Sequence, residues 1–151
     1  MKSYKCGESM KIKPVVYERI QTKHTSFVVD LKLDFNITFI CGDSGVGRST
    51  VFSILKEMAA EDKKIRCFNY LDQKRNYKAS IRQSKGNLFV IDNADILMDD
   101  KMRGYIAFDE NNQYIIIGRN PSGLLLDQNE IYELDSKTAD GITKFALKKR
   151  F

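Results

Sequence analysis

Residues 36–60, NITFICGDSGVGRSTVFSILKEMAA, contain the pattern from which the fold is predicted. The apolar run Ile37–Cys41 ends at a glycine-rich loop, and apolar residues then recur at helical spacing from Val51 to Met58. A short apolar run bounded by glycine favours a buried strand, and apolar residues three and four positions apart favour an amphipathic helix. The sequence therefore predicts a strand, a tight loop and a helix in direct succession.

The loop between these two elements reads Gly42-Asp43-Ser44-Gly45-Val46-Gly47-Arg48-Ser49-Thr50. Its three glycines lack a Cβ, so the chain can turn tightly there and adopt positive φ. Successive backbone N–H groups can then point inward as an anion-binding nest, and the N-terminus of the following helix adds unpaired N–H groups and a partial positive charge. The pattern predicts a phosphate-binding loop, in which the hydroxyl of Ser49 lies where such loops place a Mg²⁺ ligand.

This stretch resembles the phosphate-binding loop of the P-loop NTPases, whose signature is G-x-x-x-x-G-K-[ST]. The match is complete except at Arg48, where the family carries lysine. Arginine is longer, planar and forked, so it can bind phosphate, even bidentately, but with a different reach and angle. The alternative interpretation is an ordinary glycine-rich turn between a strand and a helix.

A second motif, Leu88-Phe89-Val90-Ile91-Asp92, resembles the Walker B strand of the same superfamily. A buried parallel strand is apolar throughout, and ligands bind beyond the carboxyl ends of the strands in an open α/β sheet. The resemblance implies that Asp92 faces the loop and holds Mg²⁺, directly or through water. The next residue is Asn93, where ATPases of the additional-strand class often carry a catalytic glutamate; asparagine cannot accept a proton but can orient water.

Two later polar residues are catalytic candidates under the same resemblance. Asp95 is the nearest later carboxylate and would replace the missing glutamate, with a helix N-terminal residue favoured by the helix dipole as the alternative. Asn120 follows the apolar strand predicted over 113–118 and resembles the sensor-1 position of AAA-type ATPases. The neighbouring Arg119 is a candidate for contact with phosphate or with a neighbouring subunit. For both residues, a plain loop residue before Pro121 is an equal alternative.

The order of the predicted elements resembles the additional-strand class of P-loop NTPases. We therefore predict an α/β fold in a single domain over residues 1–151: a three-layer sandwich whose mostly parallel sheet carries helices on both faces. An antiparallel hairpin, with strands at 15–17 and 26–33, is predicted before the phosphate loop. Residues 131–134 and 142–151 are predicted as C-terminal edge strands, and the lysines of the second would protect it from aggregation. The polar residues 1–13 are expected to fray.

The composition, with 42% hydrophobic and 30% charged residues, is typical of a soluble globular domain. No apolar run reaches membrane-spanning length and no apolar signal segment follows the first residues, so we expect a cytoplasmic protein without a membrane partner. Three cysteines without paired metal spacing suit a reducing compartment. The net charge of +5 permits binding to polyanions, although nucleic acid is only weakly indicated as a partner.

Three functional hypotheses follow. The first is an ATP-binding protein with weak or absent hydrolysis, acting as a nucleotide-dependent switch or assembly module with a protein partner or in a homo-oligomer. The second is an active Mg²⁺-dependent ATPase with atypical catalytic residues, and the third is a nucleotide-free interaction protein. Arg48 and Asn93 favour the first hypothesis over the second, and the glycines together with Ser49 favour it over the third. The sequence contains no Asn-Lys-x-Asp guanine motif, so ATP is the expected nucleotide.

Overall fold

The structure, a computed structural model, describes residues 12–42, 47–72 and 76–151, and the backbone of two short strands before them. These two strands, β1 (Tyr4–Lys5) and β2 (Glu8–Ser9), pair with each other in antiparallel orientation. The other strands are β3 (Arg19–His24), β4 (Phe27–Lys32), β5 (Ile37–Cys41), β6 (Ile65–Phe68), β7 (Leu88–Ile91), β8 (Gln113–Gly118), β9 (Ile131–Ala139) and β10 (Ile142–Lys149). The helices of the described parts are α1 (Arg48–Glu61), α2 (Tyr77–Gln83), α3 (Ala94–Leu97) and α4 (Asp100–Phe108), with 3₁₀ turns at Tyr70–Asp72 and Gln128–Glu130.

Strands β3 to β10 form one mixed, curled sheet in the order β3-β4-β10-β9-β5-β8-β7-β6. The pairs β3–β4 and β9–β10 are antiparallel, whereas β4–β10, β9–β5, β5–β8, β8–β7 and β7–β6 are parallel. The predicted edge position of the C-terminal strands is wrong. The β9–β10 hairpin instead lies inside the sheet, where it joins the β3–β4 hairpin to β5 and the strands beyond it.

The β9–β10 hairpin turns at Asp140 and Gly141, whose φ values are 53° and 77°. Two successive residues with positive φ suit the tight turns whose twist matches that of the flanking strands, and Asp-Gly is a preferred sequence for them. The turn lets β9 extend to Ala139, five residues beyond the strand predicted over residues 131–134. The additional residues give β10 a partner along its whole length.

The core consists of two hydrophobic clusters on opposite faces of the sheet. Along β5, Ile40 belongs to the cluster that contains α1, whereas Phe39 and Cys41 belong to the cluster that contains α2, α3 and α4. This division follows from the alternation of side chains along a strand. The first cluster also includes residues of β3, β4 and β10, such as Val29 and Phe145, because the sheet curls around α1.

The second cluster covers only one half of the sheet. Among the described residues, it takes side chains from β5, β6, β7, β8 and the start of β9, but none from β3, β4 or β10. The prediction of a mostly parallel three-layer sandwich is therefore wrong, because the sheet is mixed and none of the described helices covers its β3–β4–β10 part on that face. None of the helices in the described parts is long and apolar enough to cross a membrane.

Several predictions of individual strands and helices are confirmed, although the predicted architecture is wrong. The strands β5, β7 and β8 and the helix after Gly47 lie where the apolar patterns predicted them. The N-terminal antiparallel hairpin is also present, but its first strand is β3, and residues 15–17 bind the side chain of Gln113 through the backbone N–H groups of Val16 (3.0 Å) and Tyr17 (2.8 Å). The helices α3 and α4 are separate, because Asp99 caps α4 by accepting the N–H of Met102.

Candidate functional site

The carboxyl ends of three neighbouring parallel strands, β5, β8 and β7, meet at one edge of the sheet. A cavity of about 420 Å³ lies at this edge, and we call it the strand-end cavity. It is lined by Arg48, Asp92, Asn93, Asp95, Ile96, Ile117, Gly118 and Arg119. The structure therefore brings together Arg48 from the predicted loop with three predicted residues that follow β7.

The chain passes from β7 into α3 through only two residues, Asp92 and Asn93. Asn93 adopts a left-handed conformation with φ 52° and ψ 45°, and its carbonyl accepts the N–H groups of Ile96 (3.0 Å) and Leu97 (3.1 Å) at the start of α3. Asparagine tolerates this conformation better than most residues. The N–H of Asn93 also donates to Oδ1 of Asp92 at 2.9 Å. These contacts hold Asp92 at the end of the buried strand, with its carboxyl group at the cavity.

Burial raises the pKa of the Asp92 carboxyl above its usual value. The hydrogen bond from the Asn93 N–H and the charge of Arg48 oppose this effect. The raised pKa means that burial disfavours the ionised form of Asp92. A cation next to the carboxylate would favour the ionised form again.

Asp95 holds the segment that follows β8. Its Oδ2 accepts the backbone N–H of Arg119 at 2.8 Å, and its Oδ1 accepts the N–H of Asn120 at 3.0 Å. Gly118 gives the carboxylate room, because a Cβ at this glycine would lie 3.1 Å from Asp95 Oδ1. Both oxygens of Asp95 thus have donors, and the proposed role of this carboxylate in activating water stays a prediction.

Arg103 of α4 supports the same segment and was not predicted from the sequence. Its side chain is only 6% exposed, and Nη1 donates to the carbonyls of Asn120 (2.7 Å) and Ser122 (2.8 Å). Nη2 lies 3.5 Å from Asp95 Oδ1. An arginine in a short amphipathic helix normally suggests a solvated position, so only the fold identifies this residue.

The side-chain oxygen of Asn120 accepts the N–H of Ser122 at 3.0 Å, and the catalytic role of Asn120 stays a prediction.

Arg48 is the first residue of α1 and lines the strand-end cavity. Its Nε is buried and has no hydrogen-bond partner among the described residues. Gly47, directly before it, has φ 89° and accepts the N–H of Val51 with its carbonyl at 2.9 Å. The predicted loop residues Asp43, Ser44, Gly45 and Val46 lie outside the described residues, whereas Gly42 at the end of β5 has φ 141°.

A second cavity, of about 520 Å³, adjoins the same strand ends. Its lining includes Gly42, Arg119, Lys148, Arg150 and Glu133. Arg119 therefore lines both cavities. This second cavity is mainly cationic, because Glu133 alone is acidic, and it already binds Arg150 at 3.1 Å.

Ser49 and Thr50 lie on another side of α1. They line a cavity of about 270 Å³ together with His24, Phe27 and Glu57. Ser49 and Asp92, the two predicted Mg²⁺ ligands, therefore line different cavities, and the role of Ser49 as a ligand stays a prediction.

The donor atoms at the strand-end cavity fit Mg²⁺ only together with a phosphate ligand. The described residues contain no group of three or more histidine, cysteine, aspartate or glutamate side chains that could hold a metal. Mg²⁺ commonly binds one or two carboxylates and completes its coordination with water and substrate phosphates. Asp92 is suited to such a site, because one of its oxygens is held by Asn93 and burial makes its charge costly.

No protein-family model matches the chain, and no curated protein matches it. The solved structures include one match, a chain from the "Crystal structure of the complex of archaeal ribosomal stalk protein aP1 and archaeal ribosome recycling factor aABCE1". The identity is 10% and the TM-score 0.46, and the match covers 96% of this chain and 42% of that chain. A likeness at this level carries no argument about fold or activity.

The predicted membership in the additional-strand class of P-loop NTPases is wrong. The sheet is mixed and curled, with the β9–β10 hairpin inserted beside β5, and no family model supports the assignment. The candidate residues therefore take no role from a family, and only their own chemistry bears on the function.

Proposed function

We propose that the protein binds ATP by its phosphate chain at the strand-end cavity and hydrolyses it weakly or not at all. It would then act as a nucleotide-dependent switch or assembly module towards a protein partner or a second copy of the chain. The observation that carries this proposal is the position of two arginines, Arg48 and Arg119, with the carboxylate of Asp92 in one cavity.

The position of the cavity supports an anionic ligand. It lies at the carboxyl ends of parallel strands, where ligands bind in open sheets. It also lies at Arg48, the first residue of the 14-residue helix α1, whose unpaired N–H groups and dipole favour negative charge.

The arginines supply donors of the right kind. A guanidinium group presents several N–H donors in a fixed fork that matches phosphate oxygens. In Arg48 the buried Nε still lacks a hydrogen-bond partner among the described residues, and such an atom is costly to leave unsatisfied. The guanidinium of Arg48 therefore has hydrogen-bonding capacity that the described residues do not use.

Bound Mg²⁺ would neutralise part of the phosphate charge. The residue that would hold it is Asp92, whose pKa is raised by burial and lowered by the charge of Arg48. A cation beside Asp92 would favour its ionised form in the same way.

The surroundings of the other polar residues favour binding over hydrolysis. Asp95, the nearest carboxylate to Asp92 along the chain, uses both oxygens to accept backbone N–H groups. Asn93 has no basic group, and the side-chain oxygen of Asn120 accepts the N–H of Ser122. A general base must accept a proton from water, so a cavity with these residues is poorly equipped for catalysis.

The test measures ATP binding and phosphate release by the same preparation. Calorimetric titration and thermal unfolding with ATP and Mg²⁺ are compared for the wild type, Arg48→Ala, Arg119→Ala and the control Arg82→Ala. Arg82 is exposed on α2 and does not line the cavity. ATP at 100 times its Kd should stabilise the wild type and the control by about 2.7 kcal/mol. The two cavity variants should bind at least about tenfold more weakly, since each loses a charge-assisted contact.

Each other outcome rejects a stated part of the proposal. Phosphate release that disappears in Asp92→Ala would establish the active ATPase. If ATP changes neither the calorimetric signal nor the unfolding temperature, the hypothesis of a nucleotide-free interaction protein is favoured. Equal weakening in Arg82→Ala would show that the loss of charge, and not the cavity, determines binding.

A further inference from the structure

The β3, β4 and β10 strands, and β9 beyond its first residue, present one face on which no described helix packs. On the other face, residues such as Ile20, Val29 and Phe145 are buried against α1. Side chains alternate along a strand, so the residues between these buried ones point outward. The cations at the outward positions are Arg19, Lys23, Lys32, Lys137, Lys144 and Lys148, and we call this set the basic face.

All six cations of the basic face are exposed, and carboxylates neutralise only part of their charge. The outward acidic residues are Asp30, Glu133 and Asp135. With Arg150, which directly follows β10 and binds Glu133, the face has a net charge of +4. The net charge of the entire chain is +5, so most of it is concentrated on this part of the sheet.

The pairing of the strands aligns three lysines in one row. Lys23 is paired with Val28, Val28 with Lys144, and Lys144 with Lys137. The row crosses four strands, a distance of about 14 Å at a spacing of about 4.8 Å between strands. Lys144 and Lys137 face each other directly, and like charges in this position destabilise a sheet. An external anion would remove that repulsion.

The lysines of β10 have no role in protecting an edge. A charged edge strand prevents pairing with another chain, but β10 is paired with β4 on one side and β9 on the other. Apart from the contact of Lys144 with Asp30 at 3.6 Å, the described residues provide no ion pair for Lys23, Lys137, Lys144 or Lys148. Protection of an edge therefore explains at most Arg19 and Lys23 on the edge strand β3, and not the charge on β4, β9 and β10.

We infer that the basic face binds the phosphate backbone of double-stranded nucleic acid. A row of 14 Å spans the length over which a duplex carries about eight negative charges, at one charge per 1.7 Å of axis. The outward positions of these strands hold no aromatic side chain. Proteins that bind single strands stack bases on aromatic rings, so the face is suited to a duplex and to contacts with phosphates alone.

The test is a titration of a fluorescein-labelled 20-base-pair DNA duplex, followed by fluorescence anisotropy between 50 and 200 mM NaCl. With about six phosphate contacts, wild-type affinity should fall about 10³-fold over this range. In Lys23→Gln/Lys137→Gln/Lys144→Gln, three contacts should remain and the fall should be only about 40-fold. Affinity at 50 mM NaCl should itself be at least about tenfold lower in this variant.

A second triple variant is matched in charge. Lys56→Gln/Lys63→Gln/Lys101→Gln removes three exposed lysines outside the basic face and should retain the wild-type affinity and salt dependence. Equal losses in both triple variants would overturn the inference, as would a wild type that does not bind the duplex at 50 mM NaCl. Tighter binding of poly-glutamate or of a single-stranded oligonucleotide of equal charge would overturn the choice of a duplex.

The unfolding temperature of each variant verifies its fold, and the salt dependence of the wild type tests the inference without any substitution. ATP binding is measured on the same basic-face variant and should be unchanged, because none of its three lysines lines the strand-end cavity. Loss of duplex binding with retained ATP binding separates this inference from the proposed function.

Discussion

The ring of Phe145 on β10 packs directly against Gly47, the residue that precedes α1. A Cβ at position 47 would lie 3.1 Å from Cδ1 and Cζ of Phe145 and closer still to Cε1. The inserted hairpin and the start of the helix are thus in contact at a residue with φ 89°, where side chains are strained.

Substitution of Gly47 by alanine should therefore lower the free energy of unfolding by about 2–5 kcal/mol. A left-handed conformation costs a residue with a Cβ about 1–2 kcal/mol, and overpacking adds about 1–3 kcal/mol. Urea unfolding measures the loss. In a Phe145→Leu background the penalty for Gly47→Ala should shrink towards the backbone cost alone, and an unchanged penalty would show that the ring is not responsible.

Substitution of Asp95 by alanine should destabilise the protein by about 2–4 kcal/mol. The change removes the acceptor of the Arg119 and Asn120 N–H groups and leaves the buried guanidinium of Arg103 without its carboxylate. Hydrogen bonds to charged groups contribute about 1.5–3 kcal/mol each, although water can replace those of exposed donors. Thermal unfolding measures the effect. A loss below about 1 kcal/mol would contradict the role of Asp95 in holding residues 119 and 120. The control is Asp100→Ala, which is exposed in the first turn of α4.

Asp92→Asn should stabilise the protein at pH 7. Burial raises the pKa of Asp92 in the folded state above its value of 3.8 in the unfolded state, so the folded state binds more protons between the two pKa values. Asp92 therefore contributes stability below pH 3.8, and this contribution is lost as the pH rises through the folded pKa. Urea unfolding from pH 3 to 7 should show the variant gaining on the wild type as the pH rises. A gain that grows towards low pH would contradict this assignment.

Asp30→Asn should have the opposite pH dependence. The hydrogen bonds from Arg19 hold the pKa of Asp30 below its usual value of 3.8, against the effect of burial, and the charges of Arg19 and Lys144 act in the same direction. The stability from this ion pair is present above pH 3.8 and is lost as the pH falls through the folded pKa. The variant should thus be less stable than the wild type at pH 7, with the difference disappearing in acid. Asp135→Asn controls for the loss of one negative charge.

Local sequence patterns predicted the elements around the cavity. The apolar runs of β5, β7 and β8 are buried over their whole length, and such runs carry a strong signal. Arg48 and Asp92 were selected as candidates because Arg48 begins the predicted helix α1 and Asp92 directly follows β7. Their common cavity follows from the parallel pairing of the strands.

The position of the β9–β10 hairpin could not be predicted from its own residues. Its lysines favoured an edge strand. Its neighbours in the sheet, however, are β4 and β5, which lie about 100 residues earlier in the sequence. The Asp140-Gly141 pair did signal a tight hairpin turn, and a longer β9 would have followed from it. Arg103 carried no comparable signal, because its acceptors belong to residues 120 and 122.

The inserted hairpin also determines how the protein must acquire its structure. Strands β4 and β5 are adjacent in sequence but are held apart in the sheet by residues 131–149. Each half can form local pairs early, but the sheet is continuous only after the hairpin docks between them. Contacts of such long sequence separation slow folding, so we expect formation of the full sheet to coincide with this late docking step. Until then, two open strand edges would be exposed to other chains, which makes the period before docking the time of greatest aggregation risk.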